Sequence, residues 1–195
     1  MKDLKVLVAE DEYLILMGLK SNLETLGCKV VGEATNGKEL IKLALEKKPD
    51  MIIADINLPV MDGLEALRKI NEKVFIPTLI VSGYDDEELI NKAKNLGVLG
   101  YLIKPIDESD LKVEIEIALS RFEDIKNLKN ELEITKETLE SRKLIEKAKG
   151  IVMERLRLNE EESMKFLQKK SRNSNKKLID VAKEIIEADK AFRID

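Results

Sequence analysis

Five short stretches of this 195-residue chain are apolar at nearly every position, and longer amphipathic stretches separate them. They read as strands at Lys5–Ala9, Lys29–Ala34, Met51–Ala54, Thr78–Val81 and Gly100–Ile103. Between and after them, helical spacing of apolar residues marks segments around Tyr13–Leu26, Gly37–Lys47, Leu64–Asn71, Asp86–Leu96 and Glu108–Leu119. A strand apolar on both faces needs cover on both faces, which is the situation of a parallel strand flanked by helices. Five βα units in this length therefore predict an α/β domain with a doubly wound five-stranded parallel sheet.

In the flavodoxin-like order 2-1-3-4-5, the carboxyl ends of strands one and three lie side by side at the switch point. Glu10 and Asp11 would then neighbour Asp55. Downstream the grammar changes. All four prolines and eight of the nine glycines fall within the first 105 residues, and the rest is nearly free of helix breakers. From Glu108 to about Leu156 only Gly150 interrupts helix-compatible sequence. Spacings of three and four link Ile125, Leu128, Leu132, Thr135, Leu139 and Arg142, a short and partly polar seam of coiled-coil type. The alternative is a single helix lying on its own α/β domain. Two short helices follow. Asn159 can cap the first, with Glu162 three residues on and Met164, Phe166 and Leu167 as its apolar side. Asn173-Ser174-Asn175 makes a turn, and Leu178, Val181, Ala182, Ile185 and Ile186 form the next stripe. With Leu144, Ile145, Ala148, Ile151, Val152 and Leu156 they suffice for a small three-helix core. The predicted organisation is an α/β domain over 1–120, a helical coiled-coil linker over 121–141 and a three-helix bundle over 142–195.

Some chemistries are excluded by composition. Histidine is absent and Cys28 is the single cysteine. That removes histidine–cysteine zinc sites, histidine-based triads, an intramolecular disulfide and an autophosphorylating histidine. Cys28 reads as a small buried hydrophobe and suits a reducing cytoplasm. No run approaches eighteen apolar residues, so no membrane span is expected. The start, Met1-Lys2-Asp3-Leu4, leads straight into a strand and leaves no room for a signal peptide. Net charge is −4, but residues 1–120 carry 15 basic against 22 acidic groups, while 142–177 carry 12 against 5. A local balance of +7 suggests a polyanionic partner. A merely solvated lysine-rich helical surface is the competing reading.

The strands end in groups with chemistry. The first runs into Glu10-Asp11, the third into Asp55, the fourth into Ser82 and the fifth into Lys104. Phosphoryl transfer needs a nucleophile, charge neutralisation and in-line positioning, and little else from a protein. Asp55 is the natural nucleophile, since carboxylates form acyl phosphates. Glu10 and Asp11 crowd it with like charge, tolerable when a cation bridges them, and Mg2+ favours few carboxylates plus water and phosphate oxygens. Lys104 and Ser82 can each meet a phosphoryl oxygen. Singly each residue is ordinary; together at four strand ends they describe a magnesium-dependent phosphoryl acceptor.

Residues 4–120 resemble the receiver domain of two-component response regulators. The likeness rests on Ala9-Glu10-Asp11, on Ala54-Asp55-Ile56-Asn57-Leu58-Pro59 with Met61-Asp62-Gly63, on Ser82, and on Gly100-Tyr101 ahead of Lys104-Pro105. It implies that Asp55 accepts phosphate from the phosphohistidine of a sensor histidine kinase. It implies Mg2+ held by Asp11, Asp55, water near Glu10 and the backbone carbonyl of Asn57. It also implies a cis Lys104-Pro105 bond and a switch at Tyr101 that moves inward as Ser82 shifts to the phosphate.

Residues from about Leu139 to Ile186 resemble an ANTAR domain, the RNA-binding output of transcription antitermination regulators. The matching residues are Arg142-Lys143-Leu144-Ile145-Glu146, Ala148-Lys149-Gly150 with Ile151-Val152-Met153, Asn159 to Glu162, Ser171, Lys177-Leu178 and Val181-Ala182; Arg172 departs from the pattern, which has an apolar residue there. Gly150 within a helix suggests close approach by a neighbouring helix or a ligand backbone. Arg142 and Lys149 are the leading candidates for RNA contact, with Lys169, Lys170 and Lys176 behind them. The expectation is a non-enzymatic, phosphorylation-controlled antiterminator that binds RNA stem-loops and forms a phosphorylation-dependent homodimer. Two alternatives stay open: a helical output that binds protein, and a DNA-binding regulator, for which no recognition helix after a short turn is evident.

Overall fold

A computed structural model describes residues 2–83 and 87–192, the side chain of Phe192 excepted. The chain divides into two compact units, Met1–Lys126 and Asn127–Asp195. The first holds β1 (Lys5–Ala9), α1 (Tyr13–Thr25), β2 (Lys29–Ala34), α2 (Gly37–Lys47), β3 (Met51–Asp55), α3 (Gly63–Asn71), β4 (Thr78–Ser82), α4 (Glu87–Asn95) and β5 (Gly100–Ile103). Helix α5 runs from Glu108 to Leu156, followed by α6 (Glu160–Ser174) and α7 (Leu178–Phe192). The predicted start of α4 at Asp86 lies outside the described residues.

The strands pair in parallel in the order β2-β1-β3-β4-β5, as expected. Alternation of side chains splits each strand between two cores. Leu7, Ala9, Ile52, Ala54 and Ile80 face Leu40 and Ala44 of α2, Leu67 and Ile70 of α3, and Ala93 of α4. Val6, Val8, Met51, Ile53, Leu79 and Val81 face Leu16, Leu19 and Leu23 of α1 and Leu111, Ile115 and Ala118 of α5. Cys28 joins this second core, and burial pushes its thiol pKa up. β3 and β4 each run one residue further than their apolar stretches, ending on Asp55 and Ser82. Ladder bonds through the last apolar residue carry the strand into its polar neighbour.

Helix starts follow their caps. Asn36 Oδ1 accepts from Glu39 N at 3.0 Å and Asp62 Oδ1 from Glu65 N at 2.8 Å. Asn159 and Glu162 make the expected capping box at α6. The Asn173-Ser174-Asn175 turn comes later than its composition suggests. Asn173 and Ser174 remain helical, and Asn175 closes the helix in the left-handed region at φ 52°. Asn tolerates that conformation better than most residues.

In the C-terminal unit Ala148, Val152, Leu167, Val181, Ala182 and Ile186 are buried together, with Leu144, Ile145, Ile151, Met164 and Ile185 packed against them. Two expected core members do not enter. Leu156 stays 49% exposed and Phe166 38% exposed. The seam is also modified: Ile125 packs against the second core of the first unit, so Leu128, Leu132 and Leu139 remain as its exposed apolar members. No helix among the described residues is long and apolar enough to cross a membrane.

Candidate functional site

The carboxyl ends of β1 and β3 are adjacent, with Ala9 paired to Ala54. That register brings Glu10 and Asp11 to Asp55, whose carboxylate oxygens with theirs lie within 4.8 Å of one another. Glu10 is fully buried and Asp55 is nearly so, while Asp11 is exposed. Asp55 Oδ1 accepts from Asn57 N at 2.9 Å, which fixes the carboxylate against its own loop. Its Oδ2 accepts from Lys104 Nζ at 2.6 Å, and the same ammonium lies 2.7 Å from Glu10 Oε2. Lys104 sits just beyond β5, immediately before the cis bond expected at Lys104-Pro105. Its backbone N donates to Ser82 O at 2.8 Å, tying the ends of β4 and β5 together.

One cation thus spans two buried anions. Burial raises the Glu10 pKa and the Asp55 charge adds to that, outweighing the lowering by Lys104. For Lys104, burial alone would lower the pKa, but its pairing with the Asp55 and Glu10 carboxylates prevails and holds it above the ordinary value. The Glu10 Oε2 contact with Lys104 is an ion pair without hydrogen-bond geometry, leaving this buried oxygen without a hydrogen-bond partner. A buried acceptor short of donors, beside an exposed and a buried carboxylate, suits a small hard cation that binds through oxygen and keeps several waters. The donor set fits magnesium.

The loop after Asp55 folds over tightly. Gly63 N donates to Ile56 O at 2.8 Å, and a Cβ built on Gly63 would stand 2.1 Å from Asp55 O. Only a residue without Cβ allows α3 to start this close to the Asp55 backbone. The sequence signal for this constraint was the Asp62-Gly63 step, there read only as part of a motif.

Ser82 is fully buried at the end of β4. Tyr101 is opposite Ile80 in β5 and packs, half-buried, against the first core. Asn57 is exposed. Glu10, Asp11, Asp55 and Lys104 therefore converge, Ser82 and Asn57 stand at adjoining strand and loop positions, and Tyr101 lies three residues before Lys104 on the same strand run.

The basic candidates are treated differently by the fold. Lys149 is bound between Glu146 at 2.5 Å and Glu160 at 2.8 Å, and its side chain retains 12% exposure. These hydrogen bonds raise its pKa and lower that of Glu160. Lys176 pairs with Glu184. Arg142, Lys169 and Lys170 are exposed. Gly150 has nothing within 4 Å of a built Cβ, so no neighbouring helix accounts for it. The buried Asp189, gripped by Arg155 Nε at 2.9 Å and Nη2 at 2.8 Å, had no sequence signal beyond an acid among apolar residues.

A model of the response regulator receiver domain matches residues 6–116, and a model of the ANTAR domain matches residues 133–186. The chain is 37% identical over 183 residues to the transcriptional regulatory protein PdtaR of Mycobacterium tuberculosis, covering 94% of this chain and 89% of PdtaR. It is 33% identical over 164 residues to the transcriptional regulatory protein YdfI of Bacillus subtilis, covering 75% and 76% of the two. Among solved structures, the signal receiver domain of a modulated diguanylate cyclase from Desulfovibrio desulfuricans G20 superposes with a TM-score of 0.56 at 32% identity. It covers 60% of this chain and 94% of that one.

Proposed function

The chain belongs to the response regulators that join a receiver domain to an ANTAR domain, and we propose that it is a phosphorylation-controlled RNA-binding antiterminator. The observation that carries this reading is the convergence of Glu10, Asp11, Asp55 and Lys104 in a chain whose second part matches ANTAR. Asp55 is the phosphoacceptor. One of its carboxylate oxygens bonds to phosphorus as the bond from phosphorus to a kinase histidine nitrogen breaks, the electron pair leaving with that nitrogen. Asp11, Asp55, the backbone carbonyl of Asn57 and water near Glu10 would hold Mg2+, which supplies charge neutralisation for the transferring phosphoryl group. Lys104, released from sharing its charge between Glu10 and Asp55, meets a phosphoryl oxygen. Ser82 meets another through its hydroxyl, and Tyr101 follows the movement of Ser82. The protein turns over no external substrate; a sensor histidine kinase charges it in the cytoplasm, where transcripts are made.

Residues 121–141 act as a dimerising linker, with a second copy covering Leu128, Leu132 and Leu139. Phosphorylation shifts the monomer–dimer balance, which takes only a few kcal/mol of differential stability. A dimer presents two output domains, and tethering makes the second contact intramolecular, favouring transcripts with paired hairpins. A hairpin held by the protein is kept from pairing into a terminator.

The test has three arms. Incubation with a small phosphodonor should label wild type in a chelator-sensitive way and leave Asp55→Asn unlabelled; undiminished labelling of the variant refutes the assignment. Hairpin binding should exceed duplex DNA binding and fall steeply with salt. Equal affinity for unrelated RNA and DNA leaves a nonspecific basic surface and points to a protein-binding output. For the linker, sedimentation should show a mass increase on phosphorylation that Leu132→Glu abolishes.

A further inference from the structure

The two residues left out of the C-terminal core share one place. Leu156 and Phe166 line an open groove of about 400 Å³ together with Ile151, Arg155, Lys170 and Ile185. A second hollow along α6 is bounded by the same Phe166 and Lys170 and adds Lys169, Asn173 and Ser174. The groove has an apolar floor, the second hollow is lined mostly by polar residues, and the part-exposed Phe166 ring is common to both. An unburied Phe on a helix with a core available next to it costs stability, since its ring area stays in water.

Charge on this surface is not balanced. Both acids at its edge are already engaged: Asp189 holds Arg155, and Glu184 holds Lys176. Lys169 and Lys170 are exposed and enter no ion pair among the described residues. The Lys149 ammonium, by contrast, is closed off between two carboxylates. Asn173 is exposed, with no side-chain hydrogen bond among the described residues. Ring, exposed lysines and amide lie on one side of α6, spaced at 166, 169, 170 and 173, which is one helical face.

We propose that this face of α6 receives an unpaired base from the loop of an RNA hairpin. Phe166 stacks on the base, Lys169 and Lys170 meet the flanking phosphates, and the Asn173 amide reads the base edge. The assignment rests on the RNA-binding reading of the output and moves its main contact from Lys149 to α6. A single ring suits one splayed-out base, since bases in loops are free to leave their stack whereas those in a duplex are not. Bare apolar surface would serve a protein helix equally well. Two exposed lysines beside the ring, neither in an ion pair among the described residues, favour a phosphate-bearing occupant.

The experiment uses the full-length protein and two probes: an RNA pool with one fixed stem and a randomised loop, and the fixed stem alone as a blunt duplex. Wild type should prefer the hairpin pool. Phe166→Leu, which keeps the floor apolar, should weaken hairpin binding on the order of tenfold or more while leaving the duplex unchanged. Phe166→Tyr keeps a stacking ring and should retain hairpin affinity. Lys169→Ala with Lys170→Ala should lower both affinities and flatten the salt dependence by about two phosphates' worth. A loop carrying a fluorescent base analogue should be quenched by wild type and Phe166→Tyr but not by Phe166→Leu. An unchanged hairpin-to-duplex ratio in Phe166→Leu overturns the base site while leaving RNA binding standing. Wild type that binds hairpin and duplex alike overturns the output reading itself, and the base site with it. Should Phe166→Leu fail to fold, Phe166→Tyr and the quenching of wild type decide: no quenching, or loss of binding by the tyrosine variant at unchanged melting, rules the site out.

Discussion

In the receiver unit Glu10, Asp55 and Lys104 are withdrawn from water, whereas in the ANTAR unit Lys169 and Lys170 stand in it. Glu10 and Asp55 are held at the ends of buried strands, a ladder bond away from residues with no exposure at all. Lys104 is pinned by both. Such a site has little freedom, and its geometry is set by sheet register. Lys169 and Lys170 hang from the outside of a helix whose inner side holds the core. Their position is set only by helical phase. Buried charge is expensive and must be paired or metal-bound, so it leaves a pattern at strand ends; exposed charge is cheap and leaves none.

The glycines repeat the lesson. Gly63 is wedged against the Asp55 carbonyl, while Gly150 faces open space on an exposed side of α5. One is a steric necessity, and the other has no structural user within its own unit.

The sharpest break in this comparison comes from Asp55→Asn, expected to abolish acyl-phosphate labelling altogether, with the circular dichroism spectrum unchanged. Next is Lys104→Met. Removing the cation leaves Glu10 and Asp55 as adjoining buried carboxylates, a loss of about 3–5 kcal/mol in metal-free protein. Denaturant melts should show that loss, with part of it regained on adding magnesium; a melt unchanged from wild type would mean that the acids are not coupled through Lys104. Gly63→Ala should cost about 1–3 kcal/mol, because backbone must move to admit the methyl, and should slow phosphorylation as well. Gly150→Ala carries the opposite sign. It should raise stability by about 0.5–1 kcal/mol, as alanine does at an open helical site. If it also weakens hairpin binding, a ligand backbone approaches there.

The smallest effect concerns pH. The Glu160 carboxyl is held below its ordinary pKa by the hydrogen bond from Lys149. A depressed folded-state pKa contributes stability above the unfolded value and loses it as pH falls through the folded one. The ANTAR unit should therefore melt slightly lower as pH drops below the usual glutamate range. Glu160→Gln should remove that part of the dependence. Glu160 itself faces water, so the change should be small and further reduced by salt.

Much of the receiver was legible because its strands are apolar on both faces and end abruptly in polar groups. Periodicity placed the strands, and the parallel order then made Glu10, Asp11 and Asp55 neighbours. Lys104 was legible as a cation on that rim, but its bridging of both acids was not, since that depends on how β5 and β1 are placed about β3 and β4 in the sheet. In the output domain the same reasoning found three helices and most of the core. It misplaced Leu156 and Phe166, because an apolar residue at helical spacing carries no mark of whether a partner helix reaches it. It ranked Lys149 above Lys169 and Lys170, because sequence separation conceals that Glu160 folds back eleven residues later to meet that ammonium.

By itself the sequence determined the βα alternation, the sheet order that makes acids neighbours, the cap at Asn159, and the change to an all-helical tail. These are local matters of period, breaker placement and side-chain chemistry, each decided within a few residues. Only the tertiary structure decided which charges cancel one another and which apolar side chains stay uncovered. Ion pairing and burial depend on what arrives from distant parts of the chain, as Lys104 does at Asp55, Glu160 at Lys149 and Asp189 at Arg155.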